Sequence, residues 1–388
     1  MKYLLRVRFK FILSLSLIAM LLSACELPYG TAPLPRLAPV IPLIPHNCQP
    51  ISDLNGANIE LLSEVETIEQ NPVVAFAISD DNKRITMIHT SSVNHPGVIQ
   101  IWDIAQKQIV QRFEIDWIHP RLTHLSQNGI LLATQEDRAE SVDQRRSEFP
   151  GAIQKRLTSI IDIWDISTGQ KQTARPQPAQ ILDIDISPDG GKLLTGDSIG
   201  SVDLMSTDPD VTFGGEGLLL LTGKGAQIPV VVSFDRSGET YAYATMDGEL
   251  GIRPIVDKLK TEIGIIAKPS GNSDKGKPLD LDFDPSRTWL AVLNEQSIEV
   301  LDIQTILGWS MAFEAKHSFT SSGKVFFSPS SLLIVVTTDY DWRLIGGNNW
   351  NVIISQRTKG ISSVGFSKDG CLLVLGMTKG TVQVWGIK

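Results

Sequence analysis

A short sequence unit recurs seven times between Val73 and Ile387, and it constrains the fold more than any other feature of the chain. Each copy has an apolar strand that ends in Ser or Asp, a tight polar turn and two further apolar strands. The turns begin at Ser79, Ser126, Ser187, Asp235, Asp284, Ser328 and Ser367. Their spacing, roughly 40–60 residues of short strands, is typical of the blades of a β-propeller. We therefore predict an all-β fold, a seven-bladed β-propeller.

Alternating hydrophobicity supports the strands independently. Residues 182–187 alternate between apolar and polar side chains, and residues 279–284 repeat the pattern. A period of two is that of a strand with two different faces. We expect one face of each such strand to pack on the next blade.

The third strand of three repeats carries a sequence motif. Residues 99–103, 161–165 and 382–386 read IQIWD, IDIWD and VQVWG, and the other four repeats keep the apolar pattern without the Trp-Asp pair. Together with turns such as Ser187–Gly190, which reads Ser-Pro-Asp-Gly, these strands resemble the WD-repeat β-propeller family over residues 73–387. The Gly-His dipeptide that begins each repeat of that family is missing.

The resemblance also implies how the ring is closed. In WD-repeat propellers the sequence repeat is offset from the blade, so a strand from the N-terminus completes the last blade. Here residues 58–65 precede the first repeat and would pair with Thr381–Trp385, which removes an open sheet edge. We predict that residues 58–388 form the propeller and that an N-terminal strand closes it in the last blade.

The start of the chain resembles a bacterial lipoprotein signal. Four basic residues within residues 2–10 precede an apolar run over residues 11–22, which is too short for a spanning helix of about 20 residues. Residues 22–25, Leu-Ser-Ala-Cys, then match the lipobox, in which the cysteine is acylated and becomes the new N-terminus. We predict a signal peptide over residues 1–24 and lipidation at Cys25. An ordinary secretory signal is the alternative.

The mature protein is therefore predicted to be extracytoplasmic and anchored by lipid to a bacterial membrane. Glu26 stands where an aspartate retains many lipoproteins at the inner membrane, so the outer membrane or the outer leaflet of the cell membrane is favoured. Residues 25–57 are predicted to be a tether, because seven prolines between residues 26 and 50 favour extended polyproline II. The alternative is that this segment packs along the propeller or binds a partner.

Two further cysteines suit an oxidising compartment. Cys48 precedes the first strand, and Cys371 follows the seventh turn, at a position that is solvent-facing in the other repeats. Because the predicted closure places both in the last blade, we expect a Cys48–Cys371 disulfide. Two independent thiols are the alternative.

The charge of the chain excludes some classes of partner. Loss of the basic leader makes the formal net charge of −8 more negative still. This argues against nucleic acid, whose binders need a basic surface to neutralise phosphates.

No later segment is apolar over about 18 residues, so the N-terminal lipid is expected to be the membrane contact. No cofactor is predicted.

Candidate partner-binding residues are predicted in the loops on one face of the ring. The insertion Gln135–Thr158, between the second and third strands of blade 2, is rich in charge, and long loops of this kind are functional or disordered. Aromatic residues at the rim of the same face can anchor a partner. The residues assigned to partner contact are Trp117, His119, Arg138, Arg145, Arg146 and Trp342. A solvated flap and rim packing are the alternatives.

The sequence offers few groups for metal binding or catalysis. His89, His95 and His119 are predicted in neighbouring loops and could bind a transition metal, with solvated histidines as the alternative. A propeller enzyme would place carboxylates or imidazoles at the starts of its innermost strands. Those starts, near residues 73, 121, 181, 229, 279, 324 and 361, supply no convergent groups, and no hydrolase or phosphate-binding motif is present.

These observations favour a non-catalytic protein–protein interaction scaffold of the bacterial cell envelope, with one or more envelope proteins as partners. Two alternatives stay open. One is a binder of a small ligand or glycan, and the other is a metal-dependent hydrolase or lactonase built on a propeller.

Overall fold

Seven four-stranded antiparallel sheets form a ring in the computed structural model, which is a seven-bladed β-propeller as predicted. The structure describes residues 49–66, 71–79, 81–90, 97–115, 122–126, 129–141, 155–177, 179–208, 218–219, 229–246, 248–255, 265–267, 276–304, 308–312, 323–330, 332–338, 340–347 and 349–387. Within these residues, no helix combines the length and the hydrophobicity that a membrane span requires.

The strands are numbered along the chain, and in blades 1–6 each blade runs from its innermost to its outermost strand. Blade 1 contains β2 (Val73–Ile78), β3 (Arg84–His89), β4 (Gly97–Asp103) and β5 (Gln108–Ile115). Blade 2 contains β6 (Leu122–Leu125), β7 (Leu131–Ser141), β8 (Lys155–Asp165) and β9 (Gln170–Gln177). Blade 3 contains β10 (Ile181–Ile186), β11 (Lys192–Asp197), β12 (Ser201–Ser206) and β13 (Leu218–Leu219).

The second half of the ring has the same organisation. Blade 4 contains β14 (Pro229–Phe234), β15 (Thr240–Thr245), β16 (Leu250–Pro254) and β17 (Ile265–Ala267). Blade 5 contains β18 (Pro278–Phe283), β19 (Trp289–Asn294), β20 (Ser297–Asp302) and β21 (Gly308–Ala312). Blade 6 contains β22 (Lys324–Phe327), β23 (Leu333–Thr337), β24 (Asp341–Gly346) and β25 (Asn351–Arg357). Blade 7 contains β26 (Ile361–Phe366), β27 (Leu372–Met377), β28 (Val382–Gly386) and the N-terminal strand β1 (Glu60–Val65).

The N-terminal strand closes the ring, as predicted. β1 pairs antiparallel with β28, with Val65 opposite Val382 and Glu60 opposite Gly386. The sheet order β1-β28-β27-β26 gives β1 the outermost place in blade 7. Neighbouring innermost strands contact one another around the whole ring, including β26 with β2. β1 therefore covers the edge of β28 and joins the two ends of the propeller in one blade.

The hydrophobic core is divided among the seven interfaces between neighbouring blades. Trp102 of β4 packs in one cluster with Leu372 of blade 7, and Trp164 of β8 packs with Ile88 of blade 1. Trp385 of β28 packs in the same way against the core shared with blade 6. Each tryptophan thus packs against the blade that precedes its own.

The tight turns owe their Ser or Asp to a backbone hydrogen bond. In blade 3, Gly190 donates its N–H to the Ser187 carbonyl at 2.8 Å, and Lys192 donates its N–H to Ser187 Oγ at 2.8 Å. In blade 4, Asp235 Oδ1 accepts the equivalent bond from Thr240 N–H at 3.0 Å. Gly190 has a φ of 79°, a left-handed conformation that glycine adopts without steric cost. Ser and Asp are interchangeable at the first turn position because either side chain accepts this bond.

The last part of the predicted tether belongs to the packed fold. Ile51 is fully buried in the core shared by blades 6 and 7, and its N–H donates to the Gly370 carbonyl at 2.9 Å. A 3₁₀ turn, Gly56–Asn58, then leads into β1. The chain therefore enters the described fold on the face of the ring that carries the seven tight turns, which we call the turn face.

Cys371 lies in a different environment from the one predicted. The sequence indicates a solvent-facing position, whereas Cys371 is 3% exposed and packs in one cluster with Leu62 and Val65 of β1. In blade 7 the N-terminal segment covers this position. Cys371 is disulfide-bonded. Cys48 and Cys25 lie outside the described residues, so the Cys48–Cys371 pairing and the lipidation of Cys25 stay predictions.

Candidate functional site

The innermost strands of all seven blades surround a cavity of about 520 Å³ on the axis of the ring, which we call the central cavity. Its lining residues come from β2, β6, β10, β14, β18, β22 and β26. Each of these strands is the inner edge of its sheet, so one row of backbone N–H and C=O groups has no partner within its own blade. Cavities of a few hundred Å³ are typical of small-molecule sites. The central cavity is therefore the candidate functional site.

Side chains of one blade accept hydrogen bonds from the inner edge of the next. On β10, Asp183 and Asp185 each use Oδ2 to accept a backbone N–H of β14, at 2.8 and 2.7 Å. On β18, Asp280 and Asp282 do the same for β22, at 2.8 and 2.6 Å. His124 of β6 accepts a backbone N–H of β10 through Nδ1 at 3.2 Å. We call the four carboxylates the acidic wall of the cavity.

Burial raises the pKa of three carboxyls in the acidic wall. Removal from water disfavours the charged form. The pKa of Asp183 therefore rises to about 6, and the pKa values of Asp185 and Asp282 rise to about 7. The charge of Lys324 lowers the pKa of Asp183, and backbone N–H donors lower the pKa of all three carboxyls, but burial has the larger effect. Near pH 7 the acidic wall thus carries fewer negative charges than it has carboxyl groups.

His124 and Asp185 form a close pair in the cavity. His124 Nδ1 lies 3.0 Å from Asp185 Oδ1. Nδ1 already accepts the N–H of Ile186, and burial lowers the pKa of His124 to about 4, so the imidazole is neutral. His124 therefore supplies no counter-charge to Asp185. The His124 side chain is still 41% exposed, so a molecule in the cavity can reach it.

Two cationic side chains balance the blade-5 half of the acidic wall. Lys324 Nζ lies 3.5 Å from Asp280 Oδ1, and this carboxylate raises the pKa of Lys324. Arg236, on the tight turn of blade 4, reaches blade 6, where its guanidinium lies 5.2 Å from the centre of the Phe326 ring. The charge of Arg236 lowers the pKa of Asp282, although burial outweighs it. The charge of Lys324 also lowers the pKa of Asp183, but within the described residues no Lys or Arg forms an ion pair with the blade-3 half of the wall.

The opposite side of the cavity is apolar. Blades 6, 7 and 1 line it with the side chains of Phe326, Phe366, Phe76, Ala75 and Ala77, which we call the apolar wall. The rings of Phe326 and Phe366 lie 6.5 Å apart between their centres. In a ring of seven, blade 3 lies opposite blades 6 and 7, so the acidic wall faces the apolar wall across the axis.

The inner strands supply convergent carboxylates at positions that the prediction from sequence did not cover. That prediction considered the starts of these strands, whereas the carboxylates occupy the third and fifth residues of β10 and β18. The signal was present in the alternation of residues 182–187 and 279–284. That alternation correctly predicts a face turned to the next blade. It does not reveal that the polar face meets the inner edge of that blade, where the cavity lies.

Trp342 is not a rim residue. It is fully buried in the core shared by blades 6 and 7, and its ring packs edge-on against Trp385 at 5.1 Å between centres. Its prediction as a partner anchor is wrong, because this position of β24 faces the neighbouring blade rather than solvent. Trp117, His119, Arg145 and Arg146 lie outside the described residues. For Arg138 only the backbone, in β7, is described.

The histidines predicted for a metal site are only partly described. His89 is the last residue of β3 and is fully buried, with Nδ1 3.1 Å from the Asn71 carbonyl oxygen. It therefore lies in a strand rather than in an exposed loop. His95 and His119 lie outside the described residues. In the part of the chain that the structure describes, no three His, Cys, Asp or Glu side chains are grouped so as to hold a metal ion.

Part of the insertion Gln135–Thr158 extends blade 2 as a two-stranded ribbon. β7 and β8 pair continuously from Leu131 opposite Asp165 to Ser141 opposite Lys155. The pairing of β6 ends at Gln135 and that of β9 ends opposite Ser159. Within the described residues, 138–141 and 155–158 therefore pair only with each other, and we call them the blade-2 ribbon. Its tip, residues 142–154, lies outside the description.

No protein-family model matches the chain, and a search of curated proteins returned no match. The resemblance to WD-repeat propellers rests on the repeat itself and stays a prediction, whereas the seven-bladed fold is a property of the structure.

Proposed function

We propose that this protein is a lipid-anchored, extracytoplasmic β-propeller that acts as a non-catalytic protein–protein interaction scaffold in the bacterial envelope. The lipobox at residues 22–25 supports the anchor. Ile51 is bonded to Gly370 on the turn face, so an anchor that precedes it would be attached to that face. The blade-2 ribbon lies at the connection between β7 and β8, on the opposite face. That face is then free to meet a partner.

The blade-2 ribbon is the observation that carries the scaffold proposal. A two-stranded ribbon is only marginally stable in water, and its edges offer unpaired backbone groups to another strand. Partners that bind by strand addition use such edges, because main-chain hydrogen bonds supply their affinity. Blade 2 does not need the ribbon, since its four strands already pair between Leu122 and Gln177 without it. An interaction role explains the extra length of β7 and β8.

A ribbon-deletion variant tests this proposal. Residues 138–158 are replaced by Asn-Gly, a two-residue hairpin turn, so that Asp137 and Ser159 stay opposite each other. This boundary keeps Gln135, whose Nε2 donates to Ser159 Oγ at 2.9 Å inside the blade. Tagged chains are lightly crosslinked and purified from detergent-solubilised membranes of the native host. We expect a stoichiometric partner with the full chain and its loss with the variant.

Two controls accompany the comparison. The melting temperature of the ribbon-deletion variant should match that of the full chain, because the deleted residues that the structure describes pair only with each other. A Cys25→Ser variant should leave the membrane fraction while remaining folded, because it removes the predicted acylation site. Recovery of the same partner with both chains, or of none with the full chain, contradicts the scaffold proposal.

A binder of a small ligand is the second candidate function, and the central cavity favours it. The cavity volume of about 520 Å³ suits a small molecule, and its lining combines charged groups with an apolar wall. The cavity and the blade-2 ribbon are different parts of the molecule. The two candidate functions are therefore compatible and can be tested separately.

A further inference from the structure

The charge balance of the central cavity differs between its blades. On blade 5, Asp280 is paired with Lys324 at 3.5 Å. On blade 3, neither Asp183 nor Asp185 forms an ion pair with a Lys or Arg in the described part of the chain. The close ionisable neighbour of Asp185 is His124, which is neutral at physiological pH. The four carboxyls of the acidic wall therefore share the charges of Lys324 and Arg236, and the blade-3 pair has no cation in direct contact within the described residues.

The two blade-3 carboxyls are well placed to meet a ligand. Asp185 is 8% exposed, and both side chains line the cavity. Each uses Oδ2 for a backbone N–H of β14, whereas Oδ1 of Asp183 makes no hydrogen bond within the described residues. A buried carboxylate without a counter-charge is costly, and a cation that supplies one is correspondingly favoured.

The apolar wall determines what else the ligand must carry. Phe326 and Phe366 lie across the axis from blade 3, with their ring centres 6.5 Å apart. A bare metal ion would leave these rings in contact with water, and no group of three ligating side chains is present in the described chain. An anion would be repelled by the acidic wall, and a neutral molecule would leave Asp183 and Asp185 without a cation in direct contact.

We propose that the central cavity binds a small organic cation, a protonated amine whose ammonium group contacts Asp183 and Asp185 and whose apolar body lies on Phe326 and Phe366. This proposal rests on the second candidate function above and names its ligand class. The cavity of about 520 Å³ accommodates an aryl-alkyl amine with room for water. Charged hydrogen bonds fix the ammonium group, and burial of hydrocarbon supplies affinity.

Binding of an amine is expected to compete with protons. The charged and titratable groups that line the cavity with Asp185 are His124 of β6, Asp183 of β10, Asp235 and Arg236 of the blade-4 turn, Asp280 and Asp282 of β18, Lys324 of β22 and Lys368 of the blade-7 turn. The three carboxyls with raised pKa values change charge between pH 6 and pH 8. An ammonium group prefers the ionised carboxylates, so its affinity should rise by about tenfold over this range.

Isothermal titration calorimetry of the full chain in detergent tests the ligand class directly. The probes are 2-phenylethylamine, its neutral isostere 2-phenylethanol and the anion 3-phenylpropanoate. We expect the amine to bind at least about tenfold more tightly than the alcohol, and the carboxylate not to bind. The amine should also bind more tightly at pH 8 than at pH 6. Equal binding of amine and alcohol, or no binding of the amine, overturns the proposal.

A pair of variants locates the site. Asp183→Asn combined with Asp185→Asn removes both charges, while the amide oxygens can still accept the N–H groups of β14. Asp203→Asn is the matched control, because Asp203 is a half-buried carboxyl of the same blade outside the cavity lining. We expect the double variant to lose at least about tenfold in amine affinity and the control to lose none.

Failure of the double variant to fold would leave the comparison of amine with alcohol on the unaltered chain as the deciding result. An unchanged amine affinity in a folded double variant contradicts the placement of the ammonium group. Calorimetry measures amine binding without a protein partner. Its result is therefore independent of the pull-down that tests the ribbon-deletion variant.

Discussion

Individual carboxyls of the inner strands have two roles at once. Asp185 accepts the N–H of Phe234 at 2.7 Å, which ties blade 3 to the inner edge of blade 4, and it also brings a titratable group to the cavity. The first role requires an acceptor oxygen, which Asn also provides. The second requires a carboxyl group. Substitution of Asp by Asn therefore separates the structural from the electrostatic contribution of these residues.

The raised pKa values predict how stability depends on pH. Asp183, Asp185 and Asp282 titrate near 6, 7 and 7 when folded, against about 4 in an unfolded chain. The folded chain therefore binds more protons, and the stabilisation present below about pH 4 is lost as the pH rises to about 7. The lowered pKa of His124 has the opposite effect, because it makes the folded state more stable as the pH rises from about 4 to about 6.5. This one histidine is outweighed by the three carboxyls. We expect Tm of the ligand-free protein to fall by several degrees from pH 5 to pH 8, measured by differential scanning calorimetry.

The Asp185→Asn variant provides the check on this dependence. It should reduce the decrease in Tm between pH 5 and pH 8, because one titrating group is removed while the bond to Phe234 can still form. A pH dependence identical to that of the unaltered chain would show that Asp185 titrates normally in the folded state.

The third strand of each blade determines how neighbouring blades dock. Trp102, Trp164 and Trp385 occupy equivalent positions, opposite Ile85, Leu132 and Leu373 of the second strand. Ile345 of β24 takes the corresponding place in blade 6, opposite Ile334, and packs in the core shared with blade 5. Trp342 lies three residues earlier on β24 and contributes to the other interface, with blade 7. Trp342 is therefore a core residue, but it packs on the opposite neighbouring blade from the one that the motif tryptophans contact.

Replacement of Trp342 tests its reassignment from the rim to the core. Trp342→Ala should lower the free energy of unfolding by about 3–5 kcal/mol, because a buried aromatic side chain leaves a cavity between blades 6 and 7. Tyr340→Ala is the matched control: Tyr340 is two residues away and 53% exposed, so its loss should change stability by less than about 0.5 kcal/mol. Denaturant unfolding of both variants gives the comparison. A stability loss in Trp342→Ala no larger than in the control contradicts the core assignment.

Closure of the ring depends on the N-terminal segment. Ile51 is buried between blades 6 and 7, and β1 supplies the outermost strand of blade 7. The same segment covers Cys371, which is buried and disulfide-bonded. A bond from Cys371 to Cys48 would join the two ends of the propeller. It would also close a loop that includes nearly all of the repeats.

The disulfide is expected to contribute strongly to stability. For a loop of this length the chain-entropy model gives an upper value of roughly 5–6 kcal/mol. Cys48→Ser and Cys371→Ser should lower Tm equally, and the double variant should be no less stable than either, because each removes the same bond. Thermal unfolding without reductant measures this, and a reducing agent should destabilise only the unaltered chain. Persistence of an oxidised Cys371 in Cys48→Ser would refute the pairing.

The number of blades could be predicted from the sequence because it depends on local features, whereas the closing strand was predicted from the resemblance to WD-repeat propellers. Tight turns recur at a regular spacing, and the strands between them alternate or are wholly apolar. The chemistry of the turns follows from the same local pattern, since Ser187 and Asp235 each accept a backbone N–H a few residues along the chain.

The central cavity and the burial of single residues depended on contacts between distant segments. Asp183 faces Phe366 across the axis only because seven blades close into a ring. Trp342 is buried because blade 7 packs against it, and Cys371 is buried because the N-terminal segment returns over the last blade. A sequence pattern reports which side of a strand is apolar or charged. It does not report which distant element covers that side, and this is why the fold was predictable while the candidate site was not.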